Sequence, residues 1–96
     1  MKFEWDEHKN QINIQKHNID FNKAKDVFND KYRIEEQDSR KDYGEDRYKT
    51  VGKSYEKMLS VVFTLRTDAT RLISARPAHQ KERDLYYKQF EKNDDN

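Results

Sequence analysis

Apolar residues early in the chain recur at intervals of three and four, which predicts two short helices. The second helix carries an amphipathic stripe that falls at i, i+3, i+6 and i+7: Phe21, Ala24, Val27 and Phe28. The first is expected to start after Asp6, whose carboxylate can accept an exposed backbone N–H, and to run through His17. Its weaker periodicity predicts one inward face, made of His8, Ile12, Gln15 and Ile19.

After Asp30 the period changes to two, which is typical of β-strands. Four successive strands are predicted over residues 32–36, 47–53, 58–66 and 70–76, after a short one over 2–5. The pattern is strongest in the third of the four, where Leu59, Val61, Phe63 and Leu65 alternate with a second set of positions. Pro77 lacks a backbone N–H and should end the last strand, and a final helix is expected over 78–90.

The predicted order is β-α-α-β-β-β-β-α, which belongs to the α+β class. Because the connections between the four later strands are short, an antiparallel meander packed by the helices is the simplest topology. We expect one domain over residues 1–90, followed by a frayed acidic tail over 91–96.

Composition excludes several classes of protein. The chain has 96 residues, 41% charged and 32% hydrophobic, and is too short for a multi-domain enzyme with a deep cleft. Without Cys it has no disulfide scaffold, thiol nucleophile or Cys-based zinc site, and neither its His nor its carboxylates show metal-ligand spacing. No apolar run approaches the roughly 20 residues of a membrane span, and the charged N-terminus is unlike a signal peptide. We therefore expect a cytoplasmic protein that uses no metal or other cofactor.

The balanced net charge of +1 conceals a basic region in the middle of the chain. Residues 40–76 carry nine Lys and Arg against five Asp and Glu. Arginine dominates the later part of the chain, and its planar guanidinium suits phosphate groups. The alternative is a solvated sheet face with scattered ion pairs.

Several segments together resemble the BrnT toxin family across residues 3–87. They run from Phe3 to Asp6, from Lys16 to Phe21, from Gly44 to Gly52, and from Arg71 to Arg76 with the Lys81–Glu82–Arg83 run beyond. The chain departs from the family pattern at Asn18, Leu65, Pro77 and His79. None of these changes removes an arginine of the signature.

This resemblance implies a ribonuclease toxin of a type II toxin–antitoxin system with a compact RelE-like fold. It also implies a BrnA-like ribbon-helix-helix antitoxin, expected in a 2:2 complex, through which alone the toxin would meet operator DNA. We expect metal-independent endoribonuclease activity by attack of the RNA 2′-hydroxyl, inhibiting translation and growth. The alternative is a non-catalytic RNA-binding or protein-interaction module.

Metal-free RNA cleavage needs a base, an acid and positive charge around the phosphorane. The expected catalytic residues are Arg66, Arg71, Arg76, Arg83, Glu82, Tyr86 and His79, and the expected RNA-binding residues are Arg47, Lys49 and Lys81. Alternatives stay open for most of them. The arginines could simply pair with Glu82, Asp84 or the acidic first half, Glu82 could orient Arg83, and Tyr86 could belong to the core.

Overall fold

A computed structural model of the chain describes residues 1–94, with side chains through residue 92. The strands are β1 (Phe3–Glu4), β2 (Ile34–Asp38), β3 (Arg47–Ser54), β4 (Lys57–Leu65) and β5 (Thr70–Pro77). The helices are α1 (Glu7–His17), α2 (Phe21–Ala24) with a 3₁₀ segment at Lys25–Asn29, and α3 (Gln80–Asp94). The α+β class is confirmed.

The ends of α1 lie where the sequence predicted them. Asp6 caps the helix by accepting hydrogen bonds from the backbone N–H groups of His8 and Lys9, at 2.8 and 3.3 Å. Asn18 closes it in the left-handed conformation, with φ of 57°. Asp20 then caps α2 through the backbone N–H of Asn22, so the corner between the helices is held at both sides.

The predicted inward face of α1 is wrong. Ile12 is 46% exposed, whereas the residues that α1 buries are two asparagines, Asn10 and Asn13. The Asn13 amide donates to the Ile19 carbonyl at 2.9 Å and accepts from the Ala75 backbone N–H at 3.1 Å. Buried amides thus connect α1 to the next corner and to β5, because each finds backbone partners away from water.

The five strands form one sheet in the order β1-β5-β4-β3-β2. Strands β2 to β5 make the predicted antiparallel meander, but β1 joins β5 in parallel, with Phe3 opposite Thr70 and Glu4 opposite Arg71. The expectation of a purely antiparallel sheet is therefore corrected to a mixed sheet. The chain between β1 and β5 contains two helices and three strands. A connection of this length allows the two strands to pair in parallel.

One face of the sheet packs against α1, α2 and the 3₁₀ segment to form the main core. As predicted, its buried members include Phe21, Val27, Leu59, Val61 and Phe63, with Phe28 packed at its margin. Alternation along β4 directs Ser60, Val62 and Thr64 to the opposite face. We call this opposite side the α3 face, because α3 covers one end of it.

The last helix packs over the α3 face at the end near Val51. Tyr86, Val51 and Ala78 form a second, smaller core there, and Phe90 lies 4.4 Å from the Tyr32 ring centre. The helix continues to Asp94. The sequence after Phe90 lacks apolar residues but contains good helix formers, which extend a helix already anchored by Phe90. Residues 95–96 lie outside the described residues.

Within residues 1–94, none of the helices has the length and apolar character needed to span a membrane.

Candidate functional site

The polar centre of the α3 face is built from three strands and the first turn of α3. Lys49 on β3, Ser60 on β4 and Arg76 on β5 all contact the carboxylate of Glu82. Ser60 lies directly opposite Arg76 in the sheet register. We call these four residues the Glu82 network.

The contacts within the Glu82 network are short and directional. Arg76 donates from Nη1 to Oε1 at 2.7 Å and from Nη2 to Oε2 at 3.0 Å, the two-point geometry of an arginine–carboxylate pair. The Lys49 Nζ lies 3.0 Å from Oε2, and the Ser60 hydroxyl donates to the same oxygen at 3.3 Å. The Glu36 carboxylate on β2 takes a further contact from Lys49 at 3.0 Å. Two cations are thereby held side by side on strands β3 and β5.

Glu82 also fixes the start of α3. It is the third residue of the helix, and its Oε1 accepts from the backbone N–H of His79, just before the helix, at 2.8 Å. This is the side-chain-to-backbone half of a capping box, so the start of α3 and the position of Arg76 depend on the same carboxylate.

The Glu82 carboxylate stays ionised despite its burial. Burial alone would raise the pKa of Glu82, but hydrogen bonds from Arg76, from the His79 backbone and from Lys49 hold that pKa well below its usual range. Burial would likewise lower the pKa of Lys49, and its bonds to Glu82 and Glu36 raise it instead. A carboxylate with a depressed pKa is a weak proton acceptor, so the geometry suits Glu82 to holding cations better than to acting as a base.

The side chain of His79 projects beside the network. It is 71% exposed, with Nδ1 4.0 Å from Glu82 Oε1. Arg83 turns away from the network, donating to the Ala78 carbonyl at 2.6 Å and to Gln80 Oε1 at 2.7 Å. Lys81 is exposed on α3. Of the expected catalytic residues, Arg76, Glu82 and His79 are thus the ones that the structure brings together.

Arg71 lies near the start of β5, outside the Glu82 network. Its Nη1 donates to Glu4 Oε2 on β1 at 2.7 Å. Ion pairing with the acidic first half, the alternative considered for the arginines, is therefore realised for Arg71. Arg76 is also ion-paired, with Glu82, another of the carboxylates considered as partners of the arginines.

Arg47 and Arg66 lie close together at the start of β3, where both contact Glu45. Arg66 Nη2 lies 3.4 Å from Glu45 Oε1, and Arg47 Nε lies 3.5 Å from Glu45 Oε2. The Arg47 guanidinium also stacks over the Tyr43 ring, 4.0 Å from its centre. Its Nε is buried and makes no hydrogen bond to the described residues. Arg47 is two residues from Lys49, so the two cations share the α3 face.

Tyr86 belongs to the core and not to the open surface. It is 1% exposed, and its hydroxyl donates to Asp30 Oδ2 at 2.6 Å. Burial, and then the neighbouring Asp30, raises the pKa of Tyr86 above its usual range. This buried position favours the alternative that Tyr86 belongs to the core, because the ring is not open to a substrate.

A surface cavity of about 530 Å³ lies on the other side of the sheet. It is bordered by the α1–α2 corner and the β3–β4 hairpin, with Ile19, Tyr55 and Leu59 in its wall. None of the expected site residues lines it. The expected site residues and this cavity therefore lie on different sides of the sheet.

Sequence reasoning missed three residues that shape the site: Ser60, Glu36 and Glu4. Ser60 is 1% exposed inside the most apolar strand, and a hydroxyl in such a run is a signal that a buried partner exists. The two acids carried no sequence signal, because their partners Lys49 and Arg71 are distant along the chain. No group of three or more His, Asp or Glu that could hold a metal ion occurs in the part of the chain that was described.

Comparison with known proteins identifies the family. No curated protein matches the chain. A family model described as "Ribonuclease toxin, BrnT, of type II toxin-antitoxin system" matches residues 5–82, which includes Lys49, Arg76 and Glu82 and stops before Arg83. A match of this length covers most of the 96 residues. The chain therefore belongs to the BrnT family of ribonuclease toxins of type II toxin–antitoxin systems.

Proposed function

We propose that this protein is a metal-independent endoribonuclease toxin that cleaves RNA by attack of the 2′-hydroxyl and so inhibits translation and growth. The observation that carries the proposal is the convergence of Lys49 and Arg76 on Glu82, beside the exposed His79, in a chain of the BrnT family. Two preorganised cations next to a residue able to transfer protons are what phosphorane formation needs.

Each member of the site has a distinct part in the proposed reaction. The Arg76 guanidinium and the Lys49 ammonium would stabilise the charge that develops on the phosphorane oxygens. Glu82 would position both cations, since its oxygens hold them 2.7 to 3.0 Å away. His79 would transfer a proton, because histidine is the side chain most often used for that purpose and this one is open to solvent.

The remaining cations would bind the RNA chain around this centre. Arg47 shares the α3 face with Lys49, Arg66 borders it through Glu45, and Lys81 and Arg83 lie on α3 next to Glu82. Phosphate contacts of this kind position a nucleic acid without reading its sequence.

The toxin would act in the cytoplasm and be neutralised by a protein antitoxin, as its type II family implies. We propose a BrnA-like ribbon-helix-helix antitoxin in a 2:2 complex, which alone would contact operator DNA. Such a partner would block activity by covering the α3 face. The mixed sheet packed by helices supports a RelE-like fold, and the family assignment supports RNA as the substrate.

Expression of the protein without an antitoxin tests the proposal. Wild type should arrest growth and the purified protein should cleave single-stranded RNA, whereas Arg76→Ala should lose about 10²–10³-fold of the cleavage rate, the cost of removing one preorganised donor. Lys57→Ala is the matched control, since it removes an exposed cation from β4 outside the site. A folded, soluble wild-type protein that leaves growth and RNA intact would refute the proposal.

One observation favours the alternative, a non-catalytic RNA-binding module. Glu82, the carboxylate at the centre of the site, has a depressed pKa and is engaged by Lys49 and Arg76, so it is a weak base for RNA cleavage, whereas the cations around it can still contact phosphates. RNA binding without cleavage, abolished by Lys49→Ala, would establish this alternative.

A further inference from the structure

An irregularity in the β4–β5 ladder determines which way the arginines of β5 point. Val62 lies opposite Ser74 and the next residue, Phe63, lies opposite Leu72, so Ile73 is an extra residue on β5. This is the arrangement of a β-bulge. In a regular strand, Arg71 and Arg76 would face opposite sides of the sheet, because they are five positions apart. The bulge brings both to the same side.

The ion pairs of the two arginines confirm this common side independently. Arg76 contacts Glu82 of α3, which defines the α3 face. Arg71 contacts Glu4, whose neighbour Phe3 packs into the main core with its ring 5.1 Å from that of Phe28. Since successive residues of a strand alternate, Glu4 points away from that core.

The two arginines are nevertheless too far apart to hold one phosphate. Arg71 lies opposite Thr64 and Arg76 opposite Ser60, four residues apart on β4. At a rise of about 3.3 Å per residue, their backbones are separated by about 13 Å. Their heads also diverge, because Arg71 reaches outward to β1 while Arg76 reaches inward to Glu82.

The surface between them is small and partly open. Ser74 and Val62 lie between the two arginine positions on the α3 face, and both side chains are half-buried. The packing of α3 on this face is centred on β3 and β2, around Val51, Tyr32 and Phe90, and not on the β5 positions between the two arginines. A strand of RNA could therefore lie along β5 without displacing a helix.

We propose that β5 is a track for single-stranded RNA with two separate phosphate subsites. Arg76 and Lys49 hold the scissile phosphate, and Arg71 holds a second phosphate of the same strand, beyond its immediate neighbour. This inference rests on the ribonuclease function proposed above and deepens it. It replaces the expectation that Arg71 and Arg76 stabilise one phosphorane, and it makes Arg71 a substrate-binding residue.

Chemical substitution of single phosphates tests the track. The probe is a twelve-nucleotide RNA of one sequence, with a 2′-deoxy sugar at the cleaved step to prevent reaction and a neutral methylphosphonate at each position in turn. For wild type, affinity should fall several-fold at the scissile phosphate and, beyond its immediate neighbour, at one other position that depends on Arg71; any position contacted by Arg47, Arg66, Lys81 or Arg83 should stay sensitive in the Arg71 variant as in wild type. Arg71→Ala should abolish the effect at that other position only, and should reduce the dependence of log affinity on log salt by about one.

Kinetics on the cleavable RNA separate binding from chemistry. Arg71→Ala should raise KM about tenfold with kcat nearly unchanged, whereas Arg76→Ala should lower kcat. Glu4→Gln should tighten binding, because it removes the internal anion that competes for Arg71. The proposal is overturned if Arg71→Ala lowers kcat as Arg76→Ala does, or if Arg71→Ala abolishes the methylphosphonate effect at the scissile phosphate. It is also overturned if Glu4→Gln weakens RNA binding as much as Arg71→Ala does.

These outcomes distinguish the track from the ribonuclease proposal. The wild-type protein could bind the deoxy-substituted RNA with two sensitive phosphates and yet cleave no RNA. This result would refute the ribonuclease proposal and support the track. Wild type that cleaves RNA with a single sensitive phosphate would do the reverse. Lys57→Ala serves as the control in every assay and should match wild type.

Discussion

Arg76 and Glu82 form a two-point ion pair that joins the end of β5 to the first turn of α3, with contacts of 2.7 and 3.0 Å. The same carboxylate receives Lys49, Ser60 and the His79 backbone N–H. Five donor groups from three strands and one helix start therefore depend on a single side chain.

Replacement of Glu82 by Gln should destabilise the fold. The amide cannot neutralise Arg76 and Lys49, and loss of charge at a residue only 8% exposed leaves their donors poorly satisfied. We expect the free energy of unfolding to fall by about 1–3 kcal/mol in urea titrations. Glu91→Gln, at an exposed position of the same helix, should change it by less than about 0.5 kcal/mol. Equal stability of the two variants would show that the network contributes little.

Acid should destabilise the protein, and Glu82 should account for part of the effect. Its pKa in the folded chain is depressed below the ordinary value of 4.5, so the unfolded chain takes up the proton first as the pH falls. Stability should be level above about pH 5 and decline as the pH drops through 4.5. Asp30 adds to the decline at lower pH, since the hydrogen bond from Tyr86 and two backbone N–H groups outweigh its burial and depress its pKa. Urea titrations from pH 7 to 3 should show a shallower decline for Glu82→Gln; a decline as steep as that of wild type would contradict this assignment.

Tyr86→Phe should separate packing from catalysis. The substitution removes the 2.6 Å hydrogen bond to Asp30 and keeps the buried ring, so we expect a loss of about 1–2 kcal/mol in stability. RNA cleavage at a temperature where both proteins are folded should be unchanged. The control is Tyr87→Phe, which alters a ring that is 44% exposed. A large loss of cleavage in a fully folded Tyr86→Phe protein would restore the catalytic role expected from the sequence.

Asn13→Leu should be among the more damaging substitutions in α1, although leucine is the better helix former. It leaves the Ile19 carbonyl and the Ala75 N–H without their partner in a buried site. The expected cost is about 2–4 kcal/mol, measured by thermal and urea unfolding. Gln15→Leu, on the exposed side of the same helix, should be nearly neutral. Stabilisation by Asn13→Leu would mean that the amide is not needed there.

Cleavage should persist in excess EDTA. The proposed reaction uses Lys49, Arg76 and His79 in place of a metal ion, and attack by the 2′-hydroxyl leaves a 2′,3′-cyclic phosphate or its opened 3′-phosphate. Mass spectrometry of the RNA fragments identifies these ends. A 3′-hydroxyl product, or activity that EDTA abolishes and Mg²⁺ restores, would overturn the mechanism.

Local patterns predicted the helices and the meander because those elements depend on neighbours in the sequence. Alternation in β4 identified Leu59, Val61 and Phe63 as core, Asp6 marked the start of α1, and His17 was predicted as its last residue. Features that depend on distant partners were missed. The two residues of β1 show no sequence pattern that predicts pairing with β5. The extra residue Ile73 can be recognised only from the register between β5 and β4.

The sequence predicted which residues belong to the candidate site better than it predicted whether each of them is open to a substrate. Arg76, Glu82 and Lys49 were expected at the site and do meet. Tyr86 lies on an α3 stripe that is aromatic whether it faces substrate or core, so its burial became visible only through the contact with Asp30. The hydroxyl of Ser60, inside an apolar strand, was the overlooked sign of a buried polar centre.

The parallel pairing of β1 with β5 sets an order of assembly during synthesis. Glu4 and Arg71 are 67 positions apart, so the first strand leaves the ribosome long before its partner exists. The antiparallel hairpin of β4 and β5 joins nearby residues and closes a much shorter loop, which is faster. The nascent chain must therefore wait with Phe3 and Glu4 unpaired until most of the sheet has formed. The outer edge beside Arg71 is closed by a strand made well before β5, and the Arg76 side is completed by α3, which follows β5 in the chain.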